Sequence, residues 1–373
     1  MKQITLLLLV VILVSCQTKK ENTFSSEEAY PFYVGTYTKG DSQGIYKYTL
    51  QKDGIIKKVG LAAKSNNPSF LTWSYDKKFL LAVNEINSED GNGTVESFLM
   101  DNDSLIRINK SSSGGAHPCF VATNKSGFVL TANYSSGNIG LLRLNNEGEL
   151  SNLLDVQQHT GKGIDDRQNS PHAHSAWFDF DDDNIISIDL GSNELWFSQL
   201  DTLQQKLIAS TPAKMPMSPG AGPRHLTFHP NKKWVYVVNE LDCTISLLQK
   251  NTAGKYEKNN TVSTLPLDYK EPNTCADIHT SSDGKFVYAS NRGHNSIAIF
   301  EVNNLDGSLK LIGHESTKGD SPRNFSLSPN GDFLLVANQL TNNIVSLKRD
   351  KNTGLLEFVH QIEAPTPVCV LFN

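Results

Sequence analysis

The sequence predicts an all-β protein, a seven-bladed β-propeller of four-stranded antiparallel blades whose ring closes by pairing the N- and C-terminal strands. Two observations carry this expectation: a repeat of about fifty residues that recurs along the chain, and half-blades at the two termini that complete one another.

The repeat is read from the end of the second strand in each unit. YVGT at Gly35, AVNE at Asn84, TANY at Asn133, SIDL at Asp189, VVNE at Asn239, ASNR at Asn291 and VANQ at Asn338 are spaced by 49, 49, 56, 50, 52 and 47 residues. Each unit opens with a first strand, usually at a proline: NPSF, HPCF, SPHAHS, GPRHLTF, TCADI without one, SPRNF and TPVCV. Between the two marks lie SYDKK, TNKSG, HPNKK, SSDGK and SPNGD, in which Asn, Asp and Gly accept turn dihedrals, so the strands form a hairpin. A third strand follows, as in GIYKYTL, ELWFSQL and SIAIFEV, rich in branched and aromatic residues. DGIIKKV, DGSLKLIG and TGLLEFVH indicate a fourth, opened by a glycine turn. The chain ends on PVCVLFN, a blade-opening strand without a continuation, and the globular part starts near Tyr30 at PFYVGTYT, a second strand without a first. Pairing them abolishes exposed edges. A β-solenoid fits less well, since its repeats are shorter and need no matching half-blades.

The first residues are a separate device. Lys2, the apolar run Ile4 to Val14 and LVSC ending at Cys16 resemble a bacterial lipoprotein signal, which implies cleavage after residue 15 and lipid on the Cys16 sulfur. Residues 16–29 then form a lipidated cysteine and flexible tether, and 30–373 form the propeller. The expected location is the bacterial cell envelope, periplasmic or surface-facing, with the membrane contacted through the lipid anchor alone. A net charge of −5 and 38% hydrophobic residues signal no nucleic-acid partner. Oligomeric state is not set by the sequence; a monomer is favoured. Cys119, Cys275 and Cys369 open first strands of different blades, so free buried thiols around the channel are expected rather than facing pairs. No spacing suggests a metal, and no cofactor is expected.

The hairpin brings the start of each first strand and the end of its neighbour to one rim of the channel. The residue after the opening proline gives Ser69, Cys119, His172, Arg224, Ala276, Arg323 and Val368; the residue after the second mark gives Thr36, Glu85, Tyr134, Leu190, Glu240, Arg292 and Gln339. Rim positions thus collect His, Arg and Glu where strand cores carry Leu, Val, Phe and Ile. His172 and His174 fall on one side of a strand by alternation. Such a pair suits a base, a metal or a loop contact. Glu85 and Glu240 suit catalysis or neutralisation of arginines, and Arg224, Arg292 and Arg323 suit an anionic or oxyanionic ligand. The recurrent Asn residues read as structural, closing strand ends.

YVGTYT, SPHAH, GPRH followed by VVNE, ASNRGHNSI and SPRNF together resemble the lactonase family of seven-bladed propellers, typified by bacterial propeller 6-phosphogluconolactonases and related to fungal carboxymuconate cyclases. The resemblance implies a catalytic group of His172 or His174, Arg224, Glu240 and Arg292, with Arg323, Glu85, Tyr134 and His294 as substrate-binding candidates. It implies hydrolytic opening of a sugar-acid lactone, with Glu240 or a histidine of SPHAH as base and Arg224 at the oxyanion. The export signal favours a non-phosphorylated lactone. A non-catalytic propeller binding a glycan or protein, and a cycloisomerase acting on an unsaturated diacid, would use the same rim.

Overall fold

The computed structural model describes residues 29–373, which form seven four-stranded antiparallel sheets in a ring. Cys16 and most of the tether lie outside the described residues. Blade 5 shows the unit: Pro223–Phe228, Trp234–Asn239, Thr244–Lys250 and Tyr256–Ser263, hydrogen-bonded in that order. First strands of successive blades pack side by side around the axis. Blades stack face to face, so second strands are buried on both sides; Phe79–Asn84, Phe128–Asn133, Trp234–Asn239 and Phe333–Asn338 are buried at every position. That is why they read as continuous apolar runs rather than alternating ones.

Blade 1 is shared between the chain ends. Pro367–Phe372 supplies its innermost strand, pairing antiparallel with Tyr30–Thr36, which leads into Gly44–Leu50 and Ile56–Lys64. The recurrent asparagines close strand ends as the repeat implies: Asn133 Nδ2 donates to the Ser113 carbonyl, Asn291 Nδ2 to that of Thr264 and Asn338 Nδ2 to that of Thr317.

One expectation changes. The register skips one residue after the opening position, at Cys119, Arg224 and Arg323, a bulge that aims that side chain at the axis. In blade 4 the skipped residue is His174, because Ala173 pairs with Asp189 where Pro223 pairs with Asn239. His174, not His172, therefore holds the ring position shared with Arg224; the proline of SPHAHS sits two residues early. The four described cysteines are free and buried, as expected, and Cys119, Cys275 and Cys369 do not pair with one another; Cys275 faces the thiol of Cys243, whose Sγ also accepts from Asn273 Nδ2 at 3.2 Å.

Candidate active site

At the rim, Glu240 follows the end of its strand and its backbone N–H is bound by the Gly222 carbonyl at 2.7 Å, which fixes the carboxylate over Arg224 on the adjacent strand. Arg224 Nε lies 2.9 Å from Oε2, and Arg292 from blade 6 places Nη2 3.0 Å from Oε1. A third cation, Arg167, places Nη2 2.7 Å from the same Oε1. Burial opposes the Glu240 charge, but Arg292, Arg224 and Arg167 outweigh it and hold the carboxyl down at about 2. Burial, then Arg292 and Arg323, pull Arg224 down to about 10, which leaves it a cation at neutral pH.

Arg167 belongs to a segment that the repeat pattern does not reach. It sits in a short 3-10 turn, Asp166–Gln168, before blade 4, capped by Asp165, whose carboxylate accepts from the Arg167 N–H at 2.9 Å. Gln168 is buried and donates to the Leu190 carbonyl at 2.8 Å, so the turn is pinned to the rim. The sequence signal is local: an Asp three residues before a Gln, the reciprocal pairing of a capping box.

His172 is half-buried; its Nδ1 lies 3.0 Å from the Tyr134 carbonyl and its ring stacks on the Tyr134 ring at 4.5 Å and 10°. A carbonyl accepts only, so Nδ1 carries a proton, and Nε2 is the nitrogen that bears the lone pair in the neutral ring. The Tyr134 hydroxyl accepts from Arg167 at 3.4 Å, tying this stack to the arginine cluster. His174 is fully buried, edge-on to Tyr134 and beside Cys119 Sγ at 3.7 Å. Burial, then Arg224, His225 and Arg323, push it well below the usual histidine range. It stays neutral.

Across the ring, Glu85 accepts from the Tyr37 hydroxyl at 2.8 Å, and Arg323 lies over the Tyr37 ring at 5.4 Å. Glu85, Arg323, Arg224, Cys119 and Ser69 line a small axial cavity beneath the rim together with His225. Tyr37 also escapes the sequence reading, being one residue beyond the aligned position. His294 is not brought to the cluster; its ring partners are Tyr269, Ser296 and His314. Among the described residues no group of three or more His, Cys, Asp or Glu is placed to hold a metal ion.

One donor stands out chemically. Arg292 Nε is buried and makes no hydrogen bond, whereas Arg224 Nε faces Glu240 Oε2 at 2.9 Å and Arg292 meets the same carboxylate through Nη2. Buried donors of this kind are rare unless a ligand completes them.

A profile of the family described as "Lactonase, 7-bladed beta-propeller" matches residues 31–372. A protein of Bacillus subtilis named 6-phosphogluconolactonase is 37% identical over 349 residues, covering 92% of this chain and 98% of that one. One of the same name from Formosa agariphila is 37% identical over 342 residues, covering 88% and 95%. The structure of a periplasmic gluconolactonase from Pseudomonas aeruginosa superposes with a TM-score of 0.89 at 30% identity, covering 92% of this chain and 99% of that one. The chain belongs to the lactonase family of seven-bladed β-propellers.

Proposed function

We propose that this lactonase opens a sugar-acid lactone by attack of water at the rim, with His172 as base and Arg224 and Arg292 at the oxyanion. The observation that supports this reading is the Glu240 carboxylate gripped by three arginines, one of which, Arg167, reaches the Tyr134 hydroxyl on whose ring the His172 imidazole stacks. A carboxyl held at about 2 is a weak base at neutral pH, so Glu240 serves as the anchor that keeps Arg224 and Arg292 converged. His172 Nε2 has the free lone pair. Water attacks the lactone carbonyl carbon and gives its proton to Nε2. Charge developing on the carbonyl oxygen is met by the positive guanidinium groups of Arg224 and Arg292, which Glu240 keeps converged. The ring C–O bond then breaks, the leaving oxygen takes the proton back from His172, and a hydroxy acid results. Arg167, with its side chain 44% exposed, and Arg323 supply positive charge for a carboxylate or phosphate elsewhere on the substrate.

The lipoprotein-like start, ending at Cys16, supports export and a lactone formed outside the cytoplasm without a phosphate. The relative from Pseudomonas aeruginosa named periplasmic and gluconolactonase agrees with that choice. The relatives named 6-phosphogluconolactonase favour the phosphorylated substrate, and a direct comparison separates the two.

Protein expressed from Gln17 onward should hydrolyse glucono-1,5-lactone faster than its 6-phosphate, after subtraction of spontaneous opening. Arg224→Ala should lower kcat by ~10²–10³, and Glu240→Gln should weaken turnover by releasing the arginines. A folded protein with no turnover on any lactone would establish a binding propeller instead. An unsaturated diacid converted without uptake of water would establish the cycloisomerase.

A further inference from the structure

The seven units are internal controls for one another, and blade 4 departs from the rest at the point where it carries His172. In blades 2, 3, 5 and 7 the residue whose carbonyl binds the N–H after the second strand is left-handed: Asn67 at φ 45°, His117 at 52°, Gly222 at 61° and Ser321 at 59°. His172 occupies that place in blade 4, where its carbonyl accepts from the Leu190 N–H at 3.0 Å, but its φ is not positive. Its own N–H turns inward and donates to Asp189 Oδ1 at 2.8 Å.

Asp189 is the second departure. Asparagine ends the second strand in blades 2, 3, 5, 6 and 7, where its amide donates toward strand-end oxygens. The carboxylate of blade 4 only accepts. Oδ1 takes the N–H of His172 and, at 2.7 Å, that of Ser192; Oδ2 takes His159 Nδ1 at 2.8 Å. Both members of the Asp189–His159 pair are fully buried, and the His159 ring stacks on Trp196 at 4.2 Å and 13°. Burial opposes the Asp189 charge, yet the His159 bond and the two amides outweigh it and hold the carboxyl below its usual range. Gly191 closes the other side: a Cβ there would lie 2.9 Å from His172 Cδ2.

We infer that Asp189, buttressed by His159, is a positioning residue that sets the His172 backbone so that its ring stacks on Tyr134 with Nε2 presented to the rim. The inference rests on His172 being the base. Asp189 touches no substrate and acts through the His172 amide, so its loss should act on turnover and on the imidazole rather than on binding.

The test combines kinetics with ¹⁵N spectra of the imidazoles. Asp189→Ala should lower kcat at least tenfold with KM changed less than twofold, and should replace the Nδ1–H signature of His172 by a mixture of tautomers. Asp189→Asn keeps an acceptor for the His172 amide and should recover most of the lost kcat. Asn338→Ala, the matching position in blade 7, should lower the melting temperature without moving kcat more than twofold. If Asp189→Ala does not fold, His159→Leu takes its place: it removes the buttress from Asp189 Oδ2 and should show a partial kcat loss with the same tautomer mixing. An unchanged kcat and unchanged His172 spectrum would overturn the positioning role, as would an equal kcat loss in Asn338→Ala. His172→Gln separates this inference from the reading beneath it. Full turnover in His172→Gln removes the base assignment and the inference together, whereas loss of turnover there with an intact Asp189→Ala removes the inference alone.

Discussion

Glu240 and His225 set how the site responds to acid, and the sign follows from their surroundings. Burial, then Arg224, push His225 down to about 4 from the ordinary 6.5, although Asp277 bonds its Nδ1 at 2.9 Å. Glu240 stands at about 2 against an ordinary 4.5. Both values are lower in the folded state, so the stability each contributes is complete above its unfolded value and is lost as pH falls toward the folded one. Melting temperature should therefore decline first between about 6.5 and 4, through His225 with the likewise depressed His174 adding to it, and again between about 4.5 and 2, through Glu240 together with Asp189. Glu240→Gln should start from a lower melting temperature and show a smaller second decline, the remainder coming from other depressed carboxyls such as Asp189. A second decline of wild-type size in Glu240→Gln would show that the arginine cluster does not depend on this charge. At this scale Arg224, Glu240 and Arg292 were legible, because a hairpin must return its two ends to one rim. Arg167 was not, because it enters from a connection outside the repeat, and the choice between His172 and His174 turned on a register that SPHAHS displaces by two residues.

The strand elements were legible because each carries its own boundary chemistry, and the glycine turn before the fourth strand also couples neighbouring blades. Gly54, Gly148, Gly307 and Gly354 all have φ between 75° and 87°, and each lies against an aromatic ring that begins a second strand in the preceding blade: Phe333, Phe79, Trp234 and Phe286. Sequence alone shows a turn; that its glycine is also a packing surface needs the blade-to-blade stacking. At Gly307 the two constraints coincide. A Cβ there would sit 2.6 Å from Trp234 Cδ2, the backbone is left-handed at φ 77°, and the Gly307 carbonyl accepts from the Tyr236 hydroxyl at 2.8 Å. Gly307→Ala should destabilise by about 1–3 kcal/mol, as overpacking typically does. A urea unfolding series would register this as a lower midpoint at unchanged slope. An unchanged midpoint would mean that the turn, and not the ring, yields.

For the whole molecule the decisive contacts are those that make a ring of an open array, and they fall on the last seven residues. Pro367–Phe372 buries Val368, Cys369, Val370 and Phe372, all at most 9% exposed. Its backbone is tied to both neighbouring blades: the Val370 N–H donates to Asn324 Oδ1 of blade 7 at 2.7 Å, and the Phe372 carbonyl accepts from Trp73 Nε1 of blade 2 at 2.7 Å. Without this strand, Tyr30–Thr36 becomes an open edge, and the buried aromatic faces of Phe32 and Tyr33 lose cover beside it. Deletion of residues 367–373 should give aggregated or unfolded protein, read by loss of the native far-UV spectrum and of soluble yield. Chain connectivity is not what the strand supplies, because the Asn373 N–H already bonds the Pro31 carbonyl at 3.1 Å. A permutant that joins residue 373 to residue 30 through a short linker and opens at the exposed turn between Ala253 and Gly254 keeps every closing contact. It should fold and melt within a few degrees of the parent. If instead the truncated chain melts cooperatively near the parent temperature, the ring is held by blade stacking alone and closure adds no stability.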